Sequence, residues 1–472
     1  MTQLDKQADS SLEVVVLAAG QGTRMRSSLP KVLHPLAGRP MLAHVLATVG
    51  ELQPARVHVV VGHGSGRVRE TIGNAVNWVE QAEQKGTGHA VAQALPYIED
   101  AATVLVVYGD VPLVSAATLT ACVAAAASGA LGLVTAHFDD PAELGRILRD
   151  SAGRIQAIVE YKDASADQRG IHEINSGILA LNAQALRELL AKIEPKNAQA
   201  EFYLTDLITL AHEHQIEVKG LLAASQVEVT GVNDRVQLAL LERSYQQQQA
   251  QKLMRCGVTI ADPFRLDIRG VVVAGEDCTI DVNVVFEGSV RLGRGVYIGP
   301  GAVIRDSELG DGVRVEAHTL VDGATVDANC SLGPFARIRP GTVLGEGVKI
   351  GNFVETKKAR LGRGTKASHL TYLGDANIGE DCNIGAGTVT CNYDGIEKHQ
   401  TDIGDRVFVG TNSTLVAPIE IATDAFVAAG STVTSKVAEG ELAVGRTRQR
   451  NIKGWVRPDQ RAPEKNRKTD EE

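Results

Sequence analysis

No C-x-x-C pair occurs among the six cysteines (Cys122, Cys256, Cys278, Cys330, Cys382 and Cys391), and no histidine spacing accompanies them. That disfavours a structural zinc site and a disulfide framework. No apolar run approaches bilayer-spanning length, and the opening MTQLDKQADSSLE is polar, without an apolar signal core. We therefore expect a soluble, cytoplasmic protein with no membrane partner. Excess positive charge is missing too: the formal net charge is −9 with the signs interspersed, which argues against a general nucleic-acid surface. The glycine loop GQGTRM at 20–25 carries Met25 where G-x-G-x-x-G has its third glycine, and it has no Gly-Lys-Ser/Thr. It is neither a dinucleotide fingerprint nor a Walker A loop.

What the chain has instead is a six-residue rhythm over residues 268–433. Ile280, Phe286, Leu292, Ile298 and Ile304 keep the count; Leu309, Val315 and Val321 resume it one residue early; Leu332, Ile338, Leu344 and Ile350 continue it; Ile403, Val409, Leu415, Ile421, Val427 and Val433 close it. Six is a multiple of the strand period of two and fits the helical 3.6 badly, so each hexad reads as a short strand plus a corner. Such strands bury their apolar positions only when stacked, as in a parallel β-helix. Glycine often follows the apolar residue, as at Gly293, Gly299, Gly310, Gly333 and Gly351, where we expect corners with positive φ. Small residues stand two positions before it, and Cys278, Cys330 and Cys382 occupy that place ahead of Ile280, Leu332 and Ile384. They read as small core fillers. The array resembles that of the hexapeptide acyltransferases, which implies a left-handed coil of three hexads per turn and assembly as a trimer; the crossover rule alone favours the right hand.

With 472 residues and under half in the array, the chain has room for a second domain of about 230 residues. The apolar run EVVVLAA at 13–19 empties into the glycine loop, with Arg24 and Lys31 close by. Two cations beside exposed backbone N–H groups make a polyanion site. Strands at 57–62 and 103–108, with a helical pattern at 89–97 between them, give a βαβ rhythm. The second strand runs into Gly109 and Asp110, which puts a carboxylate where open α/β sheets bind ligands. Asp110 is thus either a metal ligand or a cap of the helix that follows Val114.

The motifs LAAGQGTRM, LPKVLH, QAEQKGTGHA, YGDVPL, GRI, IVEYKDA, EINSGI, EFYLTDLI and VTGVNDR together resemble the sugar-nucleotide pyrophosphorylases. With the hexapeptide array behind them, residues 12–455 resemble the bifunctional uridylyltransferase/acetyltransferase family of UDP-N-acetylglucosamine synthesis. The resemblance implies an α/β Rossmann-like nucleotidyltransferase domain (11–235), a linker helix (236–256), a left-handed parallel β-helix (257–457) and a disordered tail (458–472). It implies that Leu17, Ala18, Ala19 and Gly20 hold the nucleotide, with Arg24 and Lys31 at its phosphates. By the same resemblance Gln81, Gly86 and Thr87 hold uracil, Asp110 and Asn233 ligate Mg²⁺, and Tyr108, Gly109, Gly145, Glu160 and Asn175 position sugar and ribose. The co-substrates would be UTP and acetyl-CoA, and the sugar substrates glucosamine 1-phosphate and N-acetylglucosamine 1-phosphate. Along residues 234–255 the spacing is helical, with Val236, Leu240 and Leu241 on one face.

Two stretches, 355–372 and 390–402, interrupt the apolar count and are rich in polar chemistry. His369 lies near Tyr372 and about one coil from Arg339, Lys357 and Asn383. Such a cluster suits acetyl transfer from a thioester to an amine, which loses a proton to a base as it attacks. Arg339 and Lys357 offer charge to a sugar phosphate. The resemblance implies His369 as general base, Arg339, Lys357, Tyr372 and Asn383 on glucosamine 1-phosphate, and Ala386, Asn392, Tyr393, Thr411, Ala429 and Arg446 along acetyl-CoA. Position 411 departs from the family's common serine but keeps the hydroxyl.

Overall fold

A computed structural model describes residues 11–460 apart from 21, 63, 64 and 198. The chain divides into two compact units, Met1–Val290 and Arg291–Glu472. The expected tail beyond 460 lies outside the described residues, after a 3₁₀ turn at Pro458–Gln460.

The first unit is built on a mixed sheet. Its strands are β1 (Leu12–Leu17), β2 (Arg56–Gly62), β3 (Asn77–Gln81), β4 (Thr103–Tyr108), β5 (Leu131–His137), β6 (Arg146–Arg149), β7 (Ile155–Val159), β8 (Glu173–Asn182) and β9 (Val218–Leu222), in the order β9-β5-β8-β4-β1-β2-β3 with β6 and β7 off β8. β1 runs parallel to both β2 and β4, whereas β8 is antiparallel to β4 and β5. Val14, Val15 and Val16 are all fully buried, so β1 is covered on both faces; that is why it reads as an unbroken apolar run. The helices that matter below are α1 (Thr87–Ala94), α2 (Ala116–Ala127) and α3 (Arg235–Arg255).

Helix α3 begins where the sequence places it, Asp234 capping it through Gln237 N, but its buried face differs from the expected one. Val236 and Leu240 are exposed, and Leu241, Gln246, Ala250 and Leu253 are buried. Gln246 decides the difference: its amide exchanges two hydrogen bonds with the backbone of Ile268, 3.0 and 2.7 Å, as a strand neighbour would. A fully paired amide is cheap to bury, and a count of apolar residues alone misses it.

In the second unit the hexads stack as a parallel β-helix with three interior columns. One runs Ile298, Val315, Leu332, Ile350, Ala367, Ile384, Val409, Val427; another Ile304, Val321, Ile338, Thr356, Leu373; the third Leu292, Leu309, Val326, Leu344, Leu361, Ile378, Ile403, Ile421. Cys330 and Cys382 are buried as fillers.

Two expectations need correction. Stretch 355–372 does not break the coil: its residues pair in register, Thr356 and Ala367 simply taking interior places. Of the second stretch, Thr390 and Cys391 stay in the ladder and 392–400 loops out, the pairing resuming at Thr401–Ile403. Nor do the glycines after the apolar positions owe their place to φ. Of the five named above, Gly333 alone has positive φ. At Gly351 an added Cβ would lie 1.9 Å from Ser368 O, and at Gly293 2.6 Å from Asp311 N, so adjacent coils approach too closely for a side chain.

Candidate active sites

A cavity of about 890 Å³ opens at the carboxyl ends of β1 and β4. Leu17, Ala18, Ala19, Gly20, Arg24, Lys31, Gln81, Gly86, Thr87, Tyr108, Asp110, Gly145, Glu160, Asn175 and Asn233 all line it. Gly109 does not; its N–H donates to Leu17 O at 2.9 Å, and it lets the two strand ends lie close.

At the floor, the Lys31 ammonium is ion-paired with Asp110 Oδ2 and donates to Asn233 Oδ1 at 3.3 Å. Gly22 brings this lysine in: its φ is 62°, and a Cβ there would meet Lys31 Cβ at 2.6 Å. Val232 N donates to Asp110 O at 3.0 Å and ties the segment carrying Asn233 to the end of β4. Asp110 does not cap α2, because Ser115 does, accepting from Thr118 N. The two residues expected to ligate a cation therefore converge on a single cationic group, the Lys31 ammonium. One carboxylate with one amide oxygen suits Mg²⁺, which keeps waters and takes substrate phosphate oxygens for the rest. Among the described residues no group of three or more His, Cys, Asp or Glu forms a closed metal cage.

Glu160 receives a hydrogen bond from Thr205 Oγ1 at 3.3 Å, and a Cβ on Gly145 would lie 3.3 Å from both its oxygens. Burial raises its pKa, with Asp163 and Asp206 adding to the rise against the Thr205 bond. Tyr108 is pushed up by burial first and by the charges of Asp110 and Glu160 next. Asn175 Oδ1 accepts from Gly177 N and its backbone N–H donates to Gly145 O, both at 2.9 Å. Arg24 sits exposed at the rim, 3.8 Å from Glu143, a contact of little strength. The sequence reading overlooked Arg146, which is 2% exposed and bonds only to carbonyls, those of Pro141, Ala142, Leu144 and Arg169. It pins the loop before Gly145.

In the second unit Arg339, Lys357 and Gly374 occupy successive rungs beside the Ile338–Thr356–Leu373 column, and the Tyr372 hydroxyl packs at Gly374. Arg339 is paired with Glu355 at 2.7 Å. Lys398, from the loop that leaves the coil, reaches Lys357, and that neighbouring charge lowers its pKa. Lys398 lies outside the hexad count, so nothing in the repeat points to it. His369 is exposed, its Nδ1 2.6 Å from Asn352 Oδ1. An amide oxygen only accepts, so Nδ1 carries the proton, and among the described residues Nε2 makes no hydrogen bond. Asn352 stands one rung before His369, a spacing from which the sequence could have identified it.

Asn352, His369, Ala386, Thr411 and Ala429 each precede a residue in the left-handed conformation (Phe353, Leu370, Gly387, Asn412, Gly430) at one corner of the coil. Leu370 N bonds to Asn352 O, Asn412 N to Ala386 O and Gly430 N to Thr411 O, so the five form one axial row. Arg446 lies just past it, its Cδ 3.9 Å from a Cβ built on Gly430. Asn392 is buried and bonded to Asp375, and Tyr393 is exposed on the loop, its hydroxyl donating to Gly395 O. Asn383 is on a different strand, between Lys366 and Phe408; among the described residues it makes no hydrogen bond to the Arg339–Lys357 group.

Known proteins match along the same lines. Residues 14–206 match the MobA-like NTP transferase domain, 268–361 the GMPPB C-terminal domain, and 400–435 the hexapeptide repeat of succinyl-transferase. The chain is 54% identical over 450 residues to the bifunctional protein GlmU of Marinobacter nauticus, covering 95% of this chain and 99% of that protein. To the bifunctional protein GlmU of Alkalilimnicola ehrlichii it is 55% identical over 454 residues, 96% of this chain and 98% of the relative. The chain belongs to the GlmU family. A GlmU-family protein with two separate site clusters, one in a nucleotidyltransferase unit and one on a hexapeptide coil, is a bifunctional transferase. Among the described residues no helix is long and apolar enough to cross a membrane.

Proposed function

We propose that the protein makes UDP-N-acetylglucosamine in two steps in the cytoplasm. The coil acetylates glucosamine 1-phosphate with acetyl-CoA, and the α/β domain transfers UMP from UTP to the product, releasing pyrophosphate. One observation carries the reading: an imidazole whose Nδ1 is committed to Asn352 heads a surface row in the second unit, while a separate pocket in the first unit gathers the uridylyltransferase motifs. We take the working domains to be 11–235 and 257–457, joined by the helix at 236–256.

In acetyl transfer the sugar amine attacks the thioester carbonyl and the C–S bond breaks, freeing the thiol. His369 Nε2 takes the amine proton, and Asn352 holds the ring in that tautomer. Arg339, Lys357 and Lys398 bind the sugar phosphate, with Tyr372 and Asn383 on the sugar. Ala386, Thr411 and Ala429 offer a small-residue track for the pantetheine arm, with Asn392, Tyr393 and Arg446 beside it. In uridylyl transfer a phosphate oxygen of N-acetylglucosamine 1-phosphate attacks the α-phosphorus and pyrophosphate leaves. Arg24 and Lys31 offset the charge that develops. Leu17 to Gly20 cradle the nucleotide, Gln81, Gly86 and Thr87 hold the base, and Tyr108, Gly145, Glu160 and Asn175 orient the sugars. Asp110 and Asn233 would hold Mg²⁺, which when bound polarises phosphoryl oxygens.

Purified protein given glucosamine 1-phosphate, acetyl-CoA, UTP and Mg²⁺ should release thiol and pyrophosphate, each dependent on its own co-substrate. Release of only one identifies a monofunctional enzyme and rejects the proposal.

We further propose a homotrimer. Interior columns fill the coil, so the acetyl site lies on an outer face, and Phe335, Phe353 and Leu370, 49%, 56% and 63% exposed, follow one another along the corner that carries His369. A neighbouring subunit would cover that ladder and exclude water from the groove. Charge reversals on the coil that yield monomers by light scattering should lower acetyl transfer and spare uridylyl transfer. A strictly monomeric variant that acetylates at the normal rate would show the groove to be complete within one chain.

A further inference from the structure

His89, in the first turn of α1, has no part in the steps above. Its Nδ1 lies 3.1 Å from Gln81 Nε2, and its Nε2 lies 3.2 Å from Gln93 Nε2. Gln81 is 3% exposed and lines the nucleotide cavity. The same Gln81 Nε2 donates to Gly86 O at 3.1 Å. A carbonyl oxygen accepts and never donates, so the Gly86 contact decides which end of the Gln81 amide is NH₂. Its other hydrogen then faces Nδ1, which accepts it, and the ring proton resides on Nε2; the facing Gln93 amide, whose Nε2 has otherwise only a long 3.5 Å contact to His89 O, turns its oxygen to that proton. Both donors of Gln81 are thus committed to protein, and its Oε1 is the atom left for a ligand.

We propose that His89 is a positioning residue for base specificity: by holding the Gln81 amide with its oxygen toward the pocket, it makes the site select a pyrimidine whose N3 carries a hydrogen over one whose N3 carries a lone pair. Among ribonucleotides that is uracil over cytosine. The inference rests on the uridylyl-transfer reading of this cavity. Uracil N3–H donates to Oε1, whereas cytosine N3 places a second acceptor against it and leaves a buried oxygen unpaired. Sites built to pair with a substrate N–H reject analogues lacking it by as much as about 10⁴–10⁵-fold. The terminal torsion of glutamine is soft, so an amide held by one contact can turn its NH₂ end to the base. Of the two anchors, Gly86 is fixed in the backbone, since its φ is 108° and a Cβ there would meet Phe202 O at 2.6 Å. His89 is the anchor that a side-chain change removes.

The test measures kcat/KM for UTP and for CTP on the full-length protein, following pyrophosphate release with N-acetylglucosamine 1-phosphate, for wild type, His89→Leu and His89→Asn. Leucine keeps apolar bulk and removes the acceptor; asparagine can place Oδ1 near the position of Nδ1. His89→Leu should lower the UTP/CTP ratio by about tenfold, the scale of one hydrogen bond. His89→Asn should retain most of it, and thiol release should be equal in all three preparations. Because the ratio compares two substrates on one protein, a loss of folded enzyme cancels. A wild type indifferent to the base would overturn the uridylyl reading itself. A wild type that prefers UTP, with His89→Leu keeping that preference or His89→Asn losing as much of it as leucine does, would overturn the role of His89 alone.

Discussion

Replacing His369 by alanine lowers thiol release from acetyl-CoA by about 10²–10⁴-fold, the usual contribution of a positioned base, and leaves pyrophosphate release at its normal rate. The attacking sugar nitrogen is an ammonium in most of its population at neutral pH, and it loses protons before and during attack. With Nδ1 bonded to Asn352 at 2.6 Å, Nε2 is the nitrogen left to take one. The substitution removes this acceptor from an exposed corner that contributes nothing to the interior columns, so the coil should keep its stability. Thermal unfolding of the variant checks that point. An unchanged rate of thiol release at neutral pH would remove His369 from the mechanism. The argument extends to Asn352: Asn352→Ala should lower the same rate by a smaller factor, since it frees the ring without deleting it, and Asn352→Asp should restore much of that loss, because a carboxylate also accepts from Nδ1–H.

The legible parts of this molecule are those set by strictly local or strictly periodic rules. β1 is readable because a strand buried on both faces must be apolar throughout, and Asp110 because a carboxylate directly after such a strand lies at the ligand edge of the sheet. The coil is readable because one residue in six points inward at each of its three sides. What escaped the reading depends on neighbours distant in sequence. Val236 and Leu240 look like a buried face until Gln246 is seen bonded to Ile268. Gly293 and Gly351 look like positive-φ corners, yet their reason is the backbone of the next coil. Stretch 355–372 looks like a break because Thr356 and Ala367 replace larger aliphatics, although the ladder runs through both. Asn352, Lys398 and Arg146 are ordinary polar residues in sequence. They matter only through His369, through Lys357 and through a set of loop carbonyls; the rung spacing from His369 points to Asn352, and no pattern points to the other two.

Asp110→Asn should cut pyrophosphate release by about 10²-fold or more while leaving thiol release unchanged. Two effects of the substitution act in the same direction. A neutral amide is a far weaker ligand for Mg²⁺ than a carboxylate, and a bound metal ion contributes several kcal/mol of charge stabilisation in reactions of this kind, which the rate relation converts to at least that factor. The second effect comes from Lys31, whose side chain is only 13% exposed and has Asp110 as its counter-ion. Without that carboxylate the lysine is left to Asn233 alone, and a partly buried cation lacking its anion draws on the substrate phosphates in a position set by itself. The two effects separate in a Mg²⁺ titration. If the carboxylate acts through the metal, the variant's rate should climb with Mg²⁺ to a half-saturation well above that of the wild type. Were Asp110 merely the partner of Lys31, the titration curve would keep its midpoint. A loss of both thiol and pyrophosphate release at unchanged thermal stability would show that the two sites do not work independently.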